Sequence, residues 1–255
     1  MFGRLLKAWQ QRREAALLQR HAIPEPLWQL TLARYPFVNA RSPDDLIELR
    51  RLCSLFLAQK EFHGAAGFVV TDEVALAIAA QACLPILKLG LSWYDGFVGI
   101  VVHANEVLAQ RESMDEDGVV HQYEELLAGE AMEGGPLMLA WSEADASIEP
   151  GDSVYNVVIH EFAHVIDMRD GWADGVPPLA STAEREAWLD VIEPEWAEFC
   201  ERVDAGEVTL IDPYGAESLE EFFAVAVEAF FVAPLEMKNE QPRLHALLAG
   251  FFKQG

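Results

Sequence analysis

Apolar residues recur at helical spacing after Ser42: Leu46, Leu49, Cys53, Phe56 and Leu57. That period predicts a helix, with Ser42 as N-cap, Pro43 at its first position and Asp44 and Asp45 in its first turn. Pro24, Pro26, Pro36 and Pro43 divide the first 60 residues into helical pieces. GFVVT at 67–71 predicts a short strand. The apolar stretch 74–91 is interrupted by Gln81, Pro85 and Lys88 and predicts a buried helix, not a membrane span. FVGIVVHA at 97–104 is rich in β-branched residues and predicts a strand, as does PLMLAW at 136–141. Residues 111–135 are acidic and poorly periodic and predict a long, partly ordered loop. The remainder reads as helix, broken at GWADGVPP (171–178) and DPYG (212–215). Strands early and helices late predict an α+β fold. The expected organisation is a helical N-terminal region, 1–60, on or extending from a catalytic domain, 61–255.

Composition narrows the class. The 255 residues are 51% hydrophobic and 24% charged, which is globular composition. Net charge is −24, and it is unevenly placed. Residues 1–60 hold 10 Lys/Arg against 5 Asp/Glu, whereas the rest holds 8 against 37. An acidic body repels phosphate backbones, so no direct nucleic-acid partner is expected. Three cysteines without CxxC spacing point to a reducing compartment. The first 21 residues are basic and amphipathic but lack the apolar segment of a secretory signal. A cytoplasmic setting is the resulting expectation.

One segment carries chemistry: His160-Glu161-Phe162-Ala163-His164. Residues four apart lie on one helix face, so both imidazoles can reach one tetrahedral zinc. Glu161 can reach a water on that zinc without itself binding the metal. Val157, Val158, Ile159, Phe162, Ala163, Val165 and Ile166 make the same helix apolar, so the polar trio needs partners. A catalytic zinc also needs a third protein ligand. Positions 167 and 170 are aspartates, so no third histidine follows at the HExxHxxGxxH spacing. The best source is the apolar helix over 217–234, which Ser218 can cap and Pro234 can end, with acids at Glu220, Glu221 and Glu228. Glu221 and Glu228 share a face but stand two turns, about 10.5 Å, apart, so both cannot bind one ion. Spacing does not choose between Glu220 and Glu221. Asp167 shares the histidine face, where a carboxylate can accept from the far nitrogen of a ligand histidine or stabilise the site electrostatically. Its alternative is a surface pair with Arg169 or Arg185.

HEFAHVID and DPYGAESLEEFFAVAVEAFF resemble the Mlc titration factor A peptidases, bacterial cytoplasmic zinc metallopeptidases related in their catalytic domain to anthrax lethal factor. The resemblance extends to AIAAQACLPILKLGLSWYDGF and GPLMLAWSEAD, and so from about residue 45 onward. It implies a zincin-like domain with a small mixed sheet and one zinc per chain. It further implies that His160 and His164 are ligands and Glu161 the base. The glutamate before the Phe-Phe pair, Glu221, becomes the third ligand. The tyrosine seven residues earlier, Tyr214, becomes an assisting group. The family also binds Mlc, a repressor of sugar-uptake genes, so the implied partners are a peptide or protein substrate and an Mlc-like repressor. PLMLAW is the expected edge strand for an extended peptide, and 111–135 the expected lid. Endopeptidase and aminopeptidase action both stay open.

Overall fold

The computed structural model of the chain describes residues 12–114, 120–132, 134–144 and 153–254. The first eleven residues of the basic opening segment therefore lie outside the described part. Three proline-punctuated helices follow it: α1 (Glu25–Arg34), α2 (Pro36–Asn39) and α3 (Pro43–Gln59). Ser42 caps α3 by accepting the Asp45 backbone N–H at 3.2 Å.

The first strand, β1 (Glu61–Gly64), lies earlier than the GFVVT run. Residues 67–71 form no strand. Ala66 and Gly67 turn the chain at positive φ, Val69 is exposed, and Thr71 caps α4 (Asp72–Cys83). The run is a connector whose β-branched residues merely resemble a strand. The predicted buried helix is also shorter than its apolar stretch. It stops before Pro85, which cannot donate to the helical ladder and clashes with the preceding turn.

Four strands form a mixed sheet ordered β1, β2 (Gly99–His103), β6 (Leu137–Ala140), β5 (Gly129–Ala131). The first three run parallel; β5 runs antiparallel to β6, with Gly129 opposite Leu139 and Ala131 opposite Leu137. The PLMLAW strand is therefore internal, and β5 is the edge. Much of 111–135 is not loop. β3 (Val107–Met114) pairs antiparallel with β4 (Val120–Leu127) in a separate ribbon, and β5 follows it. The sequence of this ribbon carries no period-two apolar alternation, so it does not read as strand.

After a short helix, α5 (Trp141–Ala144), the chain is helical: α6 (Val157–Asp167), α7 (Thr182–Asp204), α8 (Leu219–Val232), α9 (Pro234–Glu240) and α10 (Pro242–Phe252). The α+β class expected from the sequence is the class observed. Trp28 and Leu32 of α1, Phe56 of α3, Ile78 of α4, Leu139 of β6, Phe162 of α6 and Phe252 of α10 join one hydrophobic core. α8 runs through that core and buries every residue from Phe222 to Phe231, as an all-round apolar helix must. No described helix is long and apolar enough to cross a membrane.

Candidate metal centre

α6 presents two faces with different tasks. Its back face is fixed by Phe162, whose ring packs 4.9 Å from Tyr94, 5.7 Å from Phe56 and 5.8 Å from Phe97. Asn156 starts the helix, its side-chain oxygen accepting the Ile159 N–H at 2.9 Å. With the back anchored and the start capped, the 3.6-residue period turns His160, Glu161 and His164 toward a cleft. α8 supplies the facing acid. Ser218 caps it through the Glu221 N–H at 3.2 Å, placing Glu221 in the first turn opposite the histidines.

His160 Nε2, His164 Nε2 and Glu221 Oε2 converge. The two nitrogens are 3.1 Å apart, and Oε2 lies 3.1 Å from one and 3.3 Å from the other. Tetrahedral zinc with ligands at about 2.0–2.1 Å places its ligand atoms about 3.3–3.4 Å from one another. Oε2 is buried and has no aligned hydrogen bond despite both close nitrogens. Three ligand atoms this close, on two imidazoles and a carboxylate, form a donor set that zinc accepts. Among the described residues these three form the group able to hold a metal ion. Glu220 contributes no atom to it.

Electrostatics agree with cation binding. Burial pushes the Glu221 carboxyl up, but the two imidazoles pull it further down, to about 2. Burial lowers His160, yet Glu221 and Glu228 outweigh it and hold the imidazole well above its usual range. Glu161 is buried, and loss of water raises its carboxyl while the histidines oppose that rise. It lines two adjoining cavities of about 260 and 240 Å³, both also bordered by Gly129, His160 and Tyr214. Gly129 brings the backbone close to this side chain: a Cβ there would fall 2.4 Å from Glu161 Oε1, so a larger residue would force Glu161 to move. β5 thus passes directly against Glu161.

Tyr214 comes to the same cleft from a 3-10 turn, Pro213–Ala216, capped by Asp212. Its ring lies 6.1 Å from that of His160. The turn is pressed onto α8 so closely that a Cβ on Gly215 would approach Val225 to 2.6 Å. Asp167 turns its hydrogen bonds away from the ligand histidines, although the His164 charge still bears on its carboxyl. Its Oδ2 accepts the N–H groups of Asp174 and Gly175 at 3.0 and 2.8 Å, and Arg185 pairs with Asp174 instead. Burial drives the Asp167 carboxyl up to about 7. The acid at a histidine's far nitrogen is Glu228, whose Oε1 lies 2.7 Å from His160 Nδ1. Its sequence signal is a lone charge in the apolar middle of AVAVEAFFV.

The sequence model of a family described as glucose-regulated metallo-peptidase M90 matches residues 6–253. This chain belongs to the M90 metallopeptidases. Its relatives span nearly its whole length. Over 246 residues it is 36% identical to an uncharacterised Synechocystis protein, slr2042, covering 96% of this chain and 89% of the relative. Mlc titration factor A of Cronobacter sakazakii is 32% identical over 229 residues, covering 89% and 85% of the two chains. Mlc titration factor A of Serratia proteamaculans is 32% identical over 233 residues, covering 89% and 86%. Membership in M90 makes the converging triad a candidate metal site of a metallopeptidase.

Proposed function

We propose that this M90 chain is a zincin-like, zinc-dependent peptidase that binds one ion through His160, His164 and Glu221. The observation that carries this reading is the triangle of ligand atoms with near-tetrahedral separations, one of them a buried carboxylate oxygen without an aligned hydrogen bond. A zinc ion there supplies a Lewis acid that polarises the scissile carbonyl and brings the pKa of water toward about 7. Glu161 takes the proton of the attacking water at its carboxylate and passes it to the leaving amine. The Tyr214 hydroxyl donates to the developing oxyanion. β5 takes the place of PLMLAW as the strand along which an extended peptide pairs. Three free cysteines support a cytoplasmic setting.

The test is removal of the ion. Dialysis against a chelator abolishes hydrolysis of a peptide substrate, and one equivalent of zinc restores it. Hydrolysis that persists in metal-free protein overturns the reading. Tyr214 has its own test: Tyr214→Phe lowers kcat by roughly tenfold to a thousandfold, with zinc content and KM held. Unchanged turnover returns Tyr214 to the turn it occupies.

A second reading rests on the relatives' names. A protein named as a titration factor suggests capture of a repressor such as Mlc, with hydrolysis secondary. Capture uses surface and not proton transfer, so it survives loss of the base.

A further inference from the structure

Ligation through Nε2, the reading on which this inference rests, occupies one nitrogen of His160 and leaves the other. Nδ1 faces Glu228, which is fully buried two turns along α8 from Glu221. The two glutamates of one helix thus meet opposite nitrogens of one imidazole, Glu221 Oε2 at 3.1 Å from Nε2 and Glu228 Oε1 at 2.7 Å from Nδ1. Glu228 is itself held. Its Oε2 accepts the backbone N–H of Asn156, the residue that caps α6. The Asn156 amide donates to Gln81 Oε1 at 2.7 Å, and Gln81 donates to the Ala77 carbonyl at 3.2 Å. A chain of buried and half-buried polar groups therefore runs from α4 through the start of α6 to α8 and ends on the imidazole.

An ionised carboxylate can only accept, so a hydrogen bond at Nδ1 requires the proton to be there. Nε2 is then the nitrogen with a free lone pair. The geometry points to Glu228 as a positioning residue that keeps the His160 proton on Nδ1, fixes the ring plane and presents Nε2 to the zinc. A carboxylate in this place also makes the ligand more basic, and its loss typically weakens metal binding by about 10–100-fold. A filler of the core would need neither the charge nor the contact with His160.

The test uses the full chain, stripped of metal and titrated with zinc against a chromophoric chelator. Thermal unfolding of the metal-free protein is measured in parallel. Glu228→Gln keeps the volume, and it should bind zinc about 10–100-fold more weakly while remaining folded. A purely structural role would lower the unfolding temperature and leave the affinity of the folded chain unchanged. Proton–nitrogen correlation spectra of the zinc-loaded wild type give a reading independent of any variant. They should show His160 bound through Nε2 with a proton on Nδ1. Binding through Nδ1, or equal zinc affinity in Glu228→Gln, overturns the inference while the metal site stands. A wild type that takes up no zinc overturns both.

Discussion

Glu161→Gln should fold, hold zinc and lose peptidase turnover by roughly 10²–10⁴-fold, the span of a positioned general base. The substitution keeps the side-chain shape and removes the proton acceptor. Shape matters here because Gly129 leaves no room beside Oε1, and a bulkier change would displace β5 as well. Glu161 belongs to no ligand group, so zinc content should equal that of the wild type. The same variant separates the two functional readings. If the cellular role is capture of a repressor, that role survives; if it is proteolysis, both disappear together. Zinc analysis, peptide hydrolysis and repressor pull-down on one preparation decide it. Full activity in zinc-loaded Glu161→Gln would remove the proposed mechanism.

His160→Ala and His164→Ala should each reduce zinc from one ion per chain to near none in a dialysed sample. Each removes one of the three converging ligand atoms. Glu221→Gln should weaken zinc strongly and Glu220→Gln little, because only Glu221 reaches both imidazoles. Metal analysis after dialysis reads all four variants. Zinc retained at full occupancy after loss of both histidines would refute the site, and an equal effect of the two glutamates would shift its third ligand.

What could be read along the chain was local. Ser42 and Ser218 announce their helices because capping is a matter of three residues, and both do cap. The histidine pair is legible for the same reason, being one turn of one helix. Partners far apart in sequence are not legible from spacing; Glu221 comes from the family resemblance, not from its distance to the histidines. Glu228 meets a histidine 68 residues away, and nothing in the spacing favours it over Asp167, which shares the histidine face but bends to cap the loop after its own helix. The choice of edge strand is likewise non-local. Whether PLMLAW lies inside the sheet depends on β5, three residues whose own pattern carries no strand signal.

If a peptide pairs along β5 as proposed, the close passage of that strand over Glu161 makes it a ruler. A peptide zipped onto that edge can slide and keep its hydrogen bonds only in steps of two residues, about 6.6–6.8 Å; a step of one turns every side chain to the opposite face. The bond brought to the carboxylate is then counted off by backbone register before any side chain is consulted.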